Sequence, residues 1–295
     1  MRVLLTNDDG IHAPGIRAML TALLDAPVDG RPRHGGPLSN RSPSAVTRAP
    51  RHAVLVVAPM TVQSATSHGV TFHEPLMIRD EPLEAGTTGI AVGGRPADCV
   101  KLALTTLWPE VFGEGSLPDL VVSGMNAGAN CGINVIYSGT VAAALEAAFL
   151  GVPSIAVSMM LAKGTPNFAL GAQWARQTID LLVAGGLPKA HECLSVNIPP
   201  TDDLSLDAPL PPVHVCAMNT HGLVDKYERR VSPAGETYYW AAGYGLDFRG
   251  TEPGTDVDHL LKRHITVTPL KFDLTQHATL PAWASRVTNR ALGST

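Results

Sequence analysis

Two adjacent carboxylates, Asp8 and Asp9, stand in Asn7-Asp8-Asp9-Gly10, just after the apolar run Val3-Leu4-Leu5. Neighbouring carboxylates repel one another unless a cation or a proton lies between them. A hard divalent cation such as Mg²⁺ or Mn²⁺, which takes oxygen ligands, suits the pair. An Asp- and Asn-rich turn capping the next helix is the competing reading. Three further polar clusters recur. Thr61-Val62-Gln63-Ser64-Ala65-Thr66-Ser67-His68 offers hydroxyls as ligands or donors, although alone it reads as an ordinary turn. Ser123-Gly124-Met125-Asn126-Ala127-Gly128-Ala129-Asn130 combines glycines, which let backbone approach a ligand, with asparagines. Asparagine supplies a neutral oxygen to a metal and amide donors to an anion. The segment is neither a P-loop, since no Gly-Lys-Ser/Thr follows, nor a dinucleotide fingerprint. Tyr137-Ser138-Gly139-Thr140 stands at a helix start, where N–H groups and hydroxyls hold phosphate or a Ser or Thr is a plain cap. Together the four clusters point to metal-assisted hydrolysis of a phosphoester.

The clusters act together only if the fold brings them to one place. Residues 2–6, Ala53–Ala58, Leu120–Val122, Ser154–Met159 and Leu194–Ile198 read as strands with continuous apolar runs. Between them, Ile16, Met19, Leu20, Leu23 and Leu24 fall on one helical face. Ala97–Trp108, Thr140–Leu150 and Gln173–Val183 read as further helices. Buried strands alternating with helices predict an α/β protein whose parallel sheet is covered on both faces. Ligands bind such sheets at the carboxyl ends of the strands, where the clusters fall. Past Pro199-Pro200 the texture loosens, with strands expected at Val213–Met218, Glu236–Ala241 and His264–Pro269. The expected division is a core over 1–200 and a β-rich extension over 201–295 that packs on the core or on a partner subunit.

Composition bounds the rest. Of 295 residues, 45% are hydrophobic and 16% charged, which excludes a disordered chain. A net charge of −4 gives no support for a nucleic-acid-coating or membrane-surface protein. That charge is an average, because residues 29–52 carry five Arg against one Asp. The segment reads as a flexible insertion, or as an electropositive arm beside an anionic substrate. Four widely spaced cysteines make neither a disulfide framework nor a zinc ribbon; Cys99 and Cys131 are expected to be buried small residues. The apolar stretch 141–162 is interrupted by Glu146, Gly151 and Pro153, so it reads as helix, turn and strand rather than a membrane span. Val3-Leu4-Leu5 is too short for a signal-peptide core, and a cytoplasmic location is expected.

The sequence resembles the SurE family of 5′/3′-nucleotidases. The resemblance rests on LLTNDDGIHAPGI (4–16), VVAP (56–59), RPADCVKLAL (95–104), SGMNAGAN (123–130), IYSGTVAAALEAA (136–148), SVNIP (195–199), YYW (238–240), GTDVDHL (254–260) and ITVTPL (265–270). It implies a Rossmann-like three-layer α/β/α core with a mostly parallel sheet and a C-terminal part exchanged between subunits of a homodimer or homotetramer. It also implies hydrolysis of nucleoside 5′-monophosphates, and of 3′-monophosphates, with one divalent ion per subunit; the competing readings are a broad-specificity acid phosphatase or exopolyphosphatase and a non-catalytic nucleotide-binding protein on the same fold. Carried over residue by residue, the metal ligands are Asp8, Asp9, Ser64 and Asn126. The catalytic residues are Asp8, Asp9 and Asn130, and Asn130, Ser138, Gly139 and Thr140 take the phosphate. The attacking group is water positioned by Asp8 or Asp9, or the reaction passes through an aspartyl-phosphate.

Departures surround these positions. Met60 stands where the family has Asp, Ala65 where it has Gly after the ligand serine, and Arg95 where it has Thr. Ser67 is therefore the alternative ligand to Ser64. His12 and His68 lie near the motifs as acid or base candidates, though a structural role fits each better. Met159-Met160 and Tyr238-Tyr239-Trp240 read as packing or interface residues.

Overall fold

The computed structural model describes residues 1–24, 54–83, 86–221, 226–242 and 250–292. The Arg-rich segment 29–52 lies outside them. Nine strands form one sheet: β1 (Val3–Thr6), β2 (Val54–Pro59), β3 (Ile78–Pro82), β4 (Thr88–Val92), β5 (Leu120–Ala127), β6 (Ser154–Met159), β7 (Cys193–Ile198), β8 (Val213–Val215) and β11 (Ile265–Leu270). Their order is β3-β4-β2-β1-β5-β6-β7-β11-β8. Pairing is parallel throughout except at β3–β4 and β7–β11. A separate hairpin joins β9 (Tyr227–Val231) to β10 (Thr237–Ala241).

Alternation along β1 splits the core into two layers. Val3 and Leu5 face one side with α1 (Pro14–Leu23) and α5 (Phe168–Val183). Leu4 faces the other with α2 (Pro96–Leu102), the π-helical turn Ala103–Leu107, α3 (Trp108–Phe112) and α4 (Gly139–Phe149). Pro14 presets the first turn of α1, and Ile16, Met19, Leu20 and Leu23 recur at helical spacing on its buried face. Each such side chain removed from water contributes about 1.5–3 kcal/mol. Helices α6 (Asp256–Leu261) and α7 (Leu280–Leu292) complete the chain. Among the described residues no helix is long and apolar enough to cross a membrane.

The mostly parallel, doubly covered sheet matches the sequence expectation, with differences of physical interest. The third expected strand, Leu120–Val122, runs on to Ala127, so Ser-Gly-Met-Asn lies within β5 and not after it. Gly124 sits at φ +133, where its missing Cβ lets Val157 O approach, and the register against β6 shifts between Gly124 and Asn126. A glycine-bearing bulge reads as a loop in sequence although pairing persists. The helix expected at Gln173 begins at Phe168, capped by Asn167, whose Oδ1 accepts the Leu170 N–H at 3.1 Å. The strand expected over Val213–Met218 stops at Val215. β3, β4, β9, α6 and α7 are not among the elements expected from the sequence. Beyond residue 200, β8 and β11 join the main sheet, while the β9–β10 hairpin stands apart from it.

Candidate active site

Strand order sets the location. The chain departs from β1 toward β2 on one side and returns to β5 on the other, so a crevice opens at the carboxyl ends of β1 and β5. Asp8 and Asp9 follow β1, and Asn126 lies near the end of β5. A cavity of about 450 Å³ there is lined by Asp8, Asp9, Ser64 and Asn126, together with Asn130 and Ser138. Four segments far apart in sequence thus converge as the motifs predict.

Each side chain is held by a different segment. The Asp8 carboxylate accepts a short hydrogen bond from the Thr140 hydroxyl. Gly139 permits this contact, because a Cβ there would come within 2.8 Å of Asp8 Cβ. Burial pushes the Asp8 carboxyl up from 3.8 to about 6, against the pull of the Thr140 hydroxyl and with the help of the Asp9 charge. Asp9 Oδ2 accepts the Ala127 N–H at 2.9 Å. Asn126 donates its amide to Gly128 O at 2.8 Å, which leaves Oδ1, the atom type a cation binds, as its remaining polar atom. Asn130 donates to Ser158 Oγ at 2.8 Å. Its backbone is clamped on both sides by Asn197, which accepts its N–H at 2.9 Å and donates to its carbonyl at 3.0 Å.

The donor set fits a hard divalent ion. Two adjacent carboxylates, one of them buried and resisting ionisation, stand with a neutral amide oxygen and a hydroxyl around one cavity. A dication relieves the charge that burial penalises.

The serine loop places its two hydroxyls differently. Ser64 lines the cavity, whereas the Ser67 hydroxyl donates to Ile136 O at 2.8 Å. Ala65 adopts φ +54, the left-handed region that glycine enters freely, so the loop keeps a glycine-like shape at a cost of about 1–2 kcal/mol. The Gln63 N–H donates to Asp8 O at 2.8 Å and fixes the loop to β1. His68 binds Glu146 at 2.8 Å, and Lys101 reaches the same carboxylate at 3.3 Å. Burial works to raise the Glu146 carboxyl, but these two partners hold it below the usual range. His68 thus anchors the loop to α4, and His12 pairs with Glu81 at 3.1 Å.

The Ser138–Thr140 turn divides its labour. Ser138 lines the cavity and also caps α4, its Oγ accepting the Val141 N–H at 3.1 Å. Thr140 is fully buried with its hydroxyl committed to Asp8, and Gly139 packs on the same carboxylate. Neither is among the residues lining the cavity, and the Thr140 side chain is in contact with Asp8. Arg95 does not line it either: its N–H donates to Asp98 Oδ2 at 2.9 Å, which helps cap α2. Cys99 and Cys131 are buried, and burial pushes the Cys131 thiol up to about 12.

Several residues of the site escaped the sequence reading. Asn134, Tyr137 and Leu161 also line the cavity. Asp256, buried at the start of α6, accepts the Gly132 N–H and the Asn219 N–H, both at 2.8 Å, and ties the Asn130 segment to the C-terminal region. Tyr137 stands in the Tyr-Ser-Gly-Thr motif, and Asn197 and Asp256 stand in the SVNIP and GTDVDHL stretches, but none of these patterns shows the contacts through which they act.

A family model described as survival protein SurE matches residues 40–221. The 5′-nucleotidase SurE of Desulforudis audaxviator is 37% identical over 284 residues, covering 96% of this chain and 96% of that protein. The 5′-nucleotidase SurE of Heliobacterium modesticaldum is 40% identical over 281 residues, covering 94% and 89%. The crystal structure of the SurE protein from Aquifex aeolicus aligns with a TM-score of 0.71 at 31% identity, covering 96% of this chain and 98% of that one.

Proposed function

This chain belongs to the survival protein SurE family, and on that premise we propose that its cavity hydrolyses nucleoside monophosphates to nucleoside and phosphate. The observation that carries the proposal is the buried Asp8 beside Asp9, raised to about 6 and facing a cavity shared with Ser64, Asn126 and Asn130. Asp8, Asp9, Ser64 and Asn126 would hold one divalent ion, Mg²⁺ or Mn²⁺. Bound there, the ion acts as a Lewis acid and offsets the charge of the phosphoryl group.

The chain's own groups supply the rest. Asn130 and Ser138 donate hydrogen bonds to phosphoryl oxygens and stabilise charge that grows in the transition state. The N-terminus of α4 adds its partial positive charge on the same side. Thr140 and Gly139 fix Asp8, and Asn197 and Ser158 fix Asn130, so the donors are in place before substrate arrives. Asp8 or Asp9 orients the attacking water. Residues 201–295 serve a homodimer or homotetramer, a role supported by Tyr238, Tyr239 and Trp240 standing exposed on the hairpin. The protein works in the cytoplasm.

A substrate panel tests this reading. Phosphate release is measured from 5′- and 3′-nucleoside monophosphates, polyphosphate and an aryl phosphate, with and without EDTA. Release from the nucleotides that EDTA abolishes and Mn²⁺ restores is expected. Binding of nucleotide without release would overturn the enzyme reading in favour of a nucleotide-binding protein.

A further inference from the structure

Three histidines meet far from the Asp8 cavity. His214 lies on β8, at the edge of the sheet, His259 on α6, and His264 immediately before β11. β8 and β11 pair in parallel with His214 beside Thr266. Residues two apart along an extended chain share a face, so His264 falls on the same side as His214. α6 packs against β11, and the His264 N–H donates to the His259 carbonyl at 3.0 Å across a tight turn with Arg263 at φ +61. The rings of His214 and His259 stack with centroids 4.0 Å apart, and those of His214 and His264 lie 4.7 Å apart. The Nδ1 atoms of His259 and His264 are 3.3 Å apart. One ring nitrogen from each histidine falls within 4.8 Å of the other two.

Partial burial and then the neighbouring His214 hold the His259 ring below its ordinary range, in the neutral form that ligates metal. The Nδ1 separation of His259 and His264 is already that of two ligands on one tetrahedral ion, about 3.4 Å. His214, stacked on both rings, would complete the set by rotating out of its stack.

We propose that His214, His259 and His264 form a second metal site, for a transition cation such as Zn²⁺, separate from the oxygen-rich site at Asp8 and Asp9. An all-imidazole set prefers Zn²⁺, Ni²⁺ or Cu²⁺ to Mg²⁺ or Mn²⁺. Three nitrogens leave a position open to water. β8 lies five strand spacings from β1, about 24 Å at about 4.8 Å each, so the two sites share no ion.

Zinc retention by the full-length chain tests the proposal. The Asp8→Asn protein, in which the oxygen site is disabled, is dialysed against Zn²⁺ with excess Mg²⁺, and bound zinc is counted by elemental analysis. One zinc per chain is expected, and adding His259→Gln or His214→Gln is expected to weaken retention at least about tenfold. Co²⁺ gives an independent readout: the histidine site should show the stronger visible absorption of low coordination, lost with His214→Gln. Circular dichroism confirms that each variant is folded. His259→Gln alone should leave Mn²⁺-dependent phosphate release unchanged. No zinc retained by the Asp8→Asn protein, or retention unaffected by both histidine substitutions, overturns the proposal.

Discussion

The carboxyl end of β1 and β5 and the C-terminal edge of the molecule use polar side chains in opposite ways. In the first region partners come from far along the chain: Asp8 is held by Thr140, Asp9 by Ala127, the Asn130 backbone by Asn197, and the Gly132 N–H by Asp256. In the second they are near neighbours: Arg230 with Glu228, Lys262 with Asp258, and His277 with Asp273. Long-range bonds exist only when the whole sheet is assembled, so they fix a constellation. Local bonds between exposed groups order a surface and add little to stability. Asp8 and Thr140 are buried at the site and Ala65 strains its loop, while Tyr239 and Trp240 stand exposed on the hairpin.

Substitutions can break that contrast. A large effect is expected from Asn130→Ala, which removes an amide from the cavity lining; kcat for nucleotide hydrolysis should fall about 100- to 1000-fold with the fold intact. A fall in stability without loss of kcat would make Asn130 a scaffold residue like those of the C-terminal edge.

Metal-free protein offers the next test. The folded-state Asp8 carboxyl is raised from 3.8 to about 6, so the folded chain binds this proton more tightly than the unfolded chain. Stability in EDTA should therefore decline as pH rises from about 4 to about 6, by about 3 kcal/mol from this group. Mn²⁺ competes with the same proton, so its apparent affinity should fall as pH drops below about 6. Thermal unfolding across that range measures the effect, and Asp8→Asn should flatten it.

Thr140→Val removes the hydroxyl that Asp8 accepts while keeping the volume. It should weaken Mn²⁺ binding about 10- to 100-fold by calorimetry, with the Asp8 carboxyl rising further. The smallest effect belongs to the other region. Trp240→Ala should leave unfolding of the single chain within about 0.5 kcal/mol, while light scattering shows a shift toward the single chain. An unchanged mass would leave the exposed hairpin without its proposed partner.

Legibility in the sequence follows the same division. β1, β2, β6 and β7 are buried on both faces, so their apolar runs announce them. β3 reads Ile-Arg-Asp-Glu-Pro at the sheet edge, and β9 reads Tyr-Glu-Arg-Arg-Val with every residue exposed; neither has an apolar face to betray it. The ends of β5 and β8 differ from the sequence expectation because bulges and edge pairing depend on the neighbouring strand. Asp8, Asp9, Asn126 and Asn130 stand out as candidates because they sit in short polar motifs near strand ends, whereas Ser64 is singled out only by the family resemblance. The commitment of Thr140 to Asp8 and the clamp from Asn197 were not legible, since each depends on chain that folds back from far away.

The proposed chemistry depends on Asp8 above all. Phosphate release from a nucleoside 5′-monophosphate in the presence of Mn²⁺, compared between the native protein and Asp8→Asn, tests it most directly. Circular dichroism of both proteins establishes that they are equally folded. The account requires metal-dependent release from the native protein and its loss in the folded variant. Near-native turnover by folded Asp8→Asn would contradict it.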